Sequence, residues 1–360
     1  MINYQIELKP LSSFQSFPAS DTLFGAICWG IKRLYGMHGN KGLQNIMEKL
    51  SAGSPDFIVS SAFPLLKPEK GDSIFFYPRP ITSGLKIQDI QNISRSLKTD
   101  NAKKSIVEVI SKYKKFKKVE YFSQPIFESF LSDGNEMSLF ERYLNDTITI
   151  VNHMLMTEGE EKTVWNTPNP KTFNTAAVQK NSIDRITMST DGTGQTFYFP
   201  EIYTSDKFSL YFLLKTDDIG HLEPVFRYLE DKGIGANRST GKGRFKIRRI
   251  GEKTCDENSN AKMFITLSRF IPTNEDINWE SNKNSYEIFP YRSKVDSDGE
   301  FRGENIWKSR VMYIKEGSCL EIMKKNSCYG NCPVVKKIGG QSIRQNGIAF
   351  PVFVNFGDTQ

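Results

Sequence analysis

At 360 residues, with 38% hydrophobic and 12% aromatic content, the chain has a globular composition with ample core, which excludes a disordered or fibrous protein. A net charge of +7 and a pI near 8.9 favour a polyanionic partner. No apolar run reaches the length of a membrane span, and five cysteines, an odd number, do not make a secreted disulfide framework.

Ile2, Tyr4, Ile6 and Leu8 alternate along an opening strand. Residues 1–9 lack the charged-then-apolar pattern of a secretory leader, so a cytoplasmic protein is expected. Pro18 to Thr22 offer capping side chains before an apolar run of helical spacing, Leu23 to Tyr35. Gly36 to Gly39 end that helix, and a second short helix is predicted over Lys41 to Leu50. Phe57–Ser61 and Ser73–Tyr77 read as strands, the latter stopped by Pro78 and Pro80. Lys86 to Lys118 is polar, lysine-rich and helical in part. Within it, Lys112 to Lys118 interleaves Tyr113 and Phe116 with lysines, which suits either RNA or a solvated helix face. Glu158 to Lys180 holds Pro168 and Pro170 and few large apolar residues, and reads as a loop or linker.

Phe208, Leu210, Phe212 and Leu214 alternate along another strand. Leu222, Val225, Phe226 and Leu229 mark a helix ending at Gly233, a residue suited to a C-terminal cap. Arg244 to Ile250 alternates again, with charges outward. Further strands are predicted at Met263–Ile271, Ser285–Phe289, Trp307–Ile314 and Ile348–Val354. Strand, helix, then several strands in each half make an α+β fold, with antiparallel sheets backed by helices.

Between the predicted helix and strand lies a glycine-rich basic loop, Gly233 to Phe245. It is not a nucleotide P-loop: five residues separate Gly235 from Gly241, Gly243 follows Lys242, and the order is helix to strand. Arg238 stands where a dinucleotide fingerprint needs its third glycine. Gly233, Gly235, Gly241 and Gly243 let the backbone approach a ligand, with Asn237, Ser239 and Thr240 among them. Arg238, Lys242 and Arg244 add positive charge, continued by Lys246, Arg248 and Arg249. Flexible glycine with dense positive charge suits a phosphate backbone without base specificity. The alternative is a flexible turn with a solvated basic rim. Cys319, Cys328 and Cys332 are close enough to suggest zinc, but the histidines at 38, 153 and 221 are remote in sequence, so reduced thiols and no metal or other cofactor are expected.

The loop resembles the glycine-rich loop of RAMP proteins, the RNA-binding family of CRISPR effector complexes. Ser20-Asp-Thr-Leu-Phe-Gly25 with Cys28-Trp29, Ser60 to Leu66, Asn181 to Thr187 with Gly194 to Phe199, and Gly347 to Val352 resemble, in order, segments of the type III-A members that hold the CRISPR RNA (crRNA) 5′ handle. Lys86 to Lys118 matches none of these segments. The resemblance implies two ferredoxin-like RAMP units, expected at residues 1–200 and 201–360, with the glycine loop in the second. It implies a β-hairpin thumb over about residues 180–199, with Lys180 and Arg185 as RNA contacts. It also implies a non-catalytic role as a type III-A effector subunit. The implied partners are the crRNA 5′ handle, the large polymerase-palm subunit, the adjacent backbone RAMP subunit, and target RNA near the thumb. Ser20 and Asp21 either cap the first helix or meet RNA, and Arg185 either meets RNA or pairs with Asp184 or another acid. Three alternatives stand beside this reading: a RAMP endoribonuclease using His38 as general base, the equivalent handle-binding subunit of a type III-B complex, and an adaptor that binds no RNA.

Overall fold

The computed structural model describes residues 1–96, 106–165, 172–184, 186–190, 196–252, 261–296 and 305–354. The chain opens with β1 (Ile2–Pro10), α1 (Ser20–Tyr35), α2 (Leu43–Ser51), β2 (Phe57–Val59), β3 (Phe63–Leu66) and β4 (Ile74–Pro78). It continues through α3 (Ile87–Ser96), α4 (Ile106–Phe116), β5 (Tyr121–Ser123), α5 (Gln124–Asp133), α6 (Glu136–Leu144), β6 (Ile148–Val151), β7 (Met154–Thr157) and α7 (Glu158–Val164). Then come β8 (Phe173–Asn181), β9 (Thr196–Thr204), β10 (Phe208–Thr216), α8 (Ile219–Lys232) and β11 (Phe245–Glu252). The remaining described elements are strands: β12 (Met263–Thr266), β13 (Ile288–Tyr291), β14 (Val311–Ile314), β15 (Cys319–Glu321), β16 (Val334–Ile338), β17 (Gln341–Arg344) and β18 (Pro351–Val354). The fold is α+β, as the periodicity indicates.

The main sheet runs β11-β1-β10-β3-β4-β5-β7-β6, with β2 also pairing β10. Its pairings are antiparallel except β5 with β7. Within it, β1-α1-β2 followed by β10-α8-β11 is a βαββαβ unit whose strands lie in the ferredoxin-like order. β10 is central, and every residue from Phe208 to Thr216 is buried. α1 contributes Leu23, Phe24, Ile27 and Ile31 to the core, and α8 contributes Leu222, Val225, Phe226 and Leu229. Their apolar residues recur at the spacing that makes one buried stripe.

Pairings of the main sheet run across residues 200/201: Ile2 faces Thr216 and Leu8 faces Ile247 across β1. The glycine loop therefore belongs to the unit that begins at residue 2. Among the described residues after 200, α8 is the one α-helix, and it belongs to the βαββαβ unit. Beyond it the described residues form a β15-β12-β18 sheet and two hairpins, around a small core of Phe264, Phe270, Ile277, Ile314, Leu320, Tyr329 and Ala349. Finally, the predicted linker from Glu158 to Lys180 holds α7 and β8. Thr157 and Glu160 form a capping box, the side chain of each accepting from the other's backbone N–H, and this starts α7.

Candidate nucleic-acid interface

α8 stops at Gly233, whose N–H donates to the Leu229 carbonyl at 2.8 Å. The turn there has φ +80° and ψ 166°, so the chain leaves the helix abruptly rather than through a left-handed helical cap. Ile234 is buried and anchors the loop's neck, donating to the Gly243 carbonyl at 2.8 Å. At Gly243, φ is +67° and an added Cβ would lie 2.2 Å from the Ile234 carbonyl oxygen, so no side chain fits. The crown is a single 3₁₀ turn, Arg238–Thr240, entered through Asn237 at φ +60°. The Asn237 carbonyl accepts from Thr240 N and Oγ1 at 3.0 and 2.9 Å and from Lys242 N at 3.3 Å, while Ser239 is exposed. Added Cβ atoms at Gly235 and Gly241 meet nothing within 4 Å. The loop thus has a packed neck and an open crown.

The neck is stitched to the segment after β1. Leu11 N donates to the Arg244 carbonyl at 2.8 Å, Arg244 N to Ser12 Oγ at 3.0 Å, and Gly243 N to the Ser13 carbonyl at 3.0 Å. The next residue, Phe14, exchanges backbone hydrogen bonds with Ile202 at 2.7 and 3.3 Å. Ile202 lies near the base of the β8–β9 hairpin, which pairs without interruption from Phe173↔Thr204 to Asn181↔Thr196. The hairpin is longer at its base than residues 180–199. Phe17, Phe173 and Phe208 pack with ring centroids 5.3–6.0 Å apart, and Phe14 stands 5.3 Å from Phe245, so aromatic rings wedge the base onto the main core.

A buried acid joins the two elements. Glu201 on β9 is 2% exposed. Its Oε2 accepts from Lys242 Nζ and Ser13 Oγ at 2.8 Å each and from Tyr203 OH at 3.1 Å. Lys180 Nζ stands 3.3 Å from Oε1 as an ion pair, without the alignment of a hydrogen bond. The hydrogen bond from Lys242, against the opposing cost of burial, holds the Glu201 carboxyl at about 2. The same bond holds the Lys242 ammonium above the usual lysine range.

The remaining loop charges divide into paired and free. Arg238 folds back onto Asp296. Lys246 pairs with Glu230 at 2.7 Å, and Arg249 with Glu252 at 3.2 Å while also covering the Tyr4 ring. Arg244 and Arg248 are exposed, with no side-chain hydrogen bond or ion pair among the described residues. Arg248 lies on β11, the edge strand of the main sheet, and Arg244 directly precedes that strand.

The RAMP superfamily model matches residues 19–246, more than half of the chain, from the start of α1 to the first residues of β11. The chain belongs to the RAMP superfamily. It is 23% identical to "CRISPR system Cms protein Csm4" of Thermococcus onnurineus (strain NA1) over 319 residues, covering 88% of this chain and 86% of that protein. It is 24% identical to the protein of the same name from Methanocaldococcus jannaschii, covering 72% and 68%. Among solved structures, a Csm3-Csm4 subcomplex of the type III-A CRISPR-Cas interference complex aligns over 98% of this chain and 99% of the matched chain, at TM-score 0.61 and 18% identity. A Csm1-Csm4 cassette in complex with pppApA aligns over 99% of both, at TM-score 0.52 and 18% identity. These two likenesses show the fold.

The other RAMP-like motifs land elsewhere. Ser20 and Asp21 are buried and neither caps α1, whose N-cap is Ala19, nor faces solvent. Asp21 accepts from Arg269 Nη1 at 3.0 Å and from Gln345 Nε2 at 3.0 Å, and Ser20 Oγ accepts from Arg269 N at 3.0 Å. Ser61, from the second motif, donates to Glu316, which lies 3.8 Å from Arg269 Nε. Arg269 is also ringed by Phe289, Tyr291 and Tyr313, at 5.3, 4.8 and 5.9 Å. These motifs therefore tie the first unit to the C-terminal strands.

Arg185 and Gly194 lie outside the described residues. Neighbouring Asp184 accepts from the Ile186 and Thr187 amides at 2.7 and 3.2 Å. His38 is exposed in its glycine turn. In the lysine-rich stretch, Phe116 is buried in α4 against Phe140, and Lys112 pairs with Asp146 at 2.8 Å, so the structure supports the solvated helix face. Burial pushes the Cys319 and Cys328 thiols up to about 12 and Cys332 up to about 11, leaving them protonated at neutral pH. Among the described residues no group of three or more His, Cys, Asp or Glu side chains could hold a metal, and no helix is long and apolar enough to cross a membrane.

Proposed function

We propose that this chain is a non-catalytic, RNA-binding subunit of a type III-A CRISPR effector complex, holding the 5′ handle of the crRNA. The observation that carries the reading is the common footing of the glycine loop and the hairpin on residues 11–14. In this reading the open-crowned basic loop and the long hairpin are the two walls of a cleft for the RNA backbone, with Lys242 on one and Lys180 on the other. The exposed guanidinium groups of Arg244 and Arg248 extend it along β11. Backbone N–H groups and cations recognise the phosphodiester chain whatever its bases, which suits a fixed terminal segment held by its shape.

Docking on the large polymerase-palm subunit and on an adjacent backbone RAMP subunit is part of the same proposal. It is supported by the Csm4 chains that share this fold, which occur in complexes with Csm1 and with Csm3. The hairpin tip would then lie near target RNA.

The test is binding of a crRNA bearing its repeat-derived 5′ segment, against the same RNA without that segment, across a salt series. Preference for the handle-bearing RNA, with affinity falling linearly in log–log form, is the expected result. Equal, salt-insensitive retention of both would overturn it. Incubation with repeat RNA tests the endoribonuclease alternative: cleavage that disappears in His38→Ala would replace the scaffold reading with a catalytic one.

A further inference from the structure

We infer that Lys180 and Lys242, held on opposite oxygens of Glu201, form one two-lysine site for a single RNA phosphate, with Glu201 as its positioning residue. The inference rests on the RNA-binding reading above and deepens it. An acid in a phosphate-binding cleft would ordinarily repel the ligand. Here the acid is 2% exposed, whereas the two lysine side chains remain 23% and 27% exposed. The carboxylate belongs to the most buried of the three side chains, and two ammonium groups against one carboxylate leave the cluster a net charge of about +1.

Each ammonium has three N–H donors. Lys242 commits donors to Glu201 and to Ser13 Oγ, both at 2.8 Å, while Lys180 commits none in good hydrogen-bond geometry. Free donors remain on both. Both ammonium groups contact the one carboxylate, Lys180 at 3.3 Å from Oε1 and Lys242 at 2.8 Å from Oε2, and the inferred phosphate bridges the pair. Without an anion between them two ammonium groups repel, and flexible lysines would disperse. Glu201 supplies that anion. The Lys180 ammonium also lies 5.4 Å over the Phe199 ring, which further restricts it. The site spans β8, β9 and the loop, and so joins both walls of the cleft.

The experiment uses the full chain and the handle-bearing crRNA, with Lys180→Gln, Lys242→Gln, the double variant and Glu201→Gln, each checked for folding by circular dichroism. A shared phosphate predicts that either lysine variant flattens the log–log salt slope by up to about 0.7, and that the double variant loses no more than one such step. Glu201→Gln, although it removes a negative charge, is expected to weaken binding several-fold and flatten the slope likewise. A change confined to packing would lower the melting temperature and leave the slope alone. Additive losses near 1.4 in the double variant would mean two separate phosphates and overturn the shared site. Unchanged or tighter binding by Glu201→Gln would overturn the positioning role. If Glu201→Gln fails to fold, the lysine series alone decides. If the wild-type chain shows no salt-dependent binding of the RNA, the underlying function fails instead, a result distinct from either.

Discussion

Asp21→Ala isolates the consequence of burying a motif that resembles part of an RNA-binding family. Asp21 has a side chain only 4% exposed, and its two oxygens satisfy Arg269 Nη1 and Gln345 Nε2, each at 3.0 Å. Removing it leaves a mostly buried guanidinium with Glu316 at 3.8 Å and three aromatic rings as its remaining company. Breaking a buried ion pair from one side costs about 3–5 kcal/mol, because the surviving charge stays desolvated. Unfolding entropy of about 2.1 cal/mol/K per residue makes one degree worth roughly 0.76 kcal/mol for a chain of this length, so the melting temperature should fall by roughly 4–7 °C. Calorimetry measures that fall, and limited proteolysis should show the strands after β11 released first. RNA binding below the transition should keep its wild-type salt slope. A melting temperature within a degree of wild type, or a flattened slope in a folded variant, would refute the structural assignment of this motif.

Three further outcomes are expected. Arg244→Ala and Arg248→Ala should each flatten the RNA salt slope by up to about 0.7, and together by about 1.4, whereas Arg238→Ala, already paired with Asp296, should change it less. Glu201 has a carboxyl depressed from 4.5 to about 2, so its stabilising contribution is fully present above pH 4.5 and lost as pH falls through about 2. Melting temperatures of wild type and Glu201→Gln should therefore differ most above pH 4.5 and converge as pH approaches 2; a constant difference across that window would contradict the ion-pair account. Gly235→Ala, at φ +90° in open space, should cost about 1–3 kcal/mol of local strain, and Gly243→Ala should cost more because its Cβ meets the Ile234 carbonyl. Chemical denaturation orders the two, and equal cost would contradict the packed neck.

The glycine loop was legible because its physical demands fall on residue type. Positive φ at residues 233, 235, 241 and 243 leaves glycine as the unstrained choice, and the helix-to-strand placement follows from periodicities on either side. The partnership of β1 with β10 and β11 was not legible, since alternation states that a strand has two faces and nothing of which strand lies beside it. The pairings that cross residues 200/201 therefore had no signal in the periodicity. The α7 start is written in the Thr157-x-x-Glu160 spacing of a capping box, a signal that a reading led by the downstream prolines passes over. Glu201 carried no signal in its own segment: its meaning comes from Lys180, Ser13 and Lys242, which only the fold brings to it. Arg238 looked equivalent to Lys242 and Arg244 in a row of charges. The structure separates them by partner: an aspartate for the first, a buried glutamate for the second, and solvent for the third.

The central claim, that the loop and hairpin base form one cleft for the crRNA handle, is tested most directly by photocrosslinking within the assembled effector complex. A handle with photoreactive nucleotides should label peptides from both the glycine loop, residues 233–245, and the β8–β9 hairpin. Labelling confined to other surfaces of this chain, with both elements unmarked, would contradict the account.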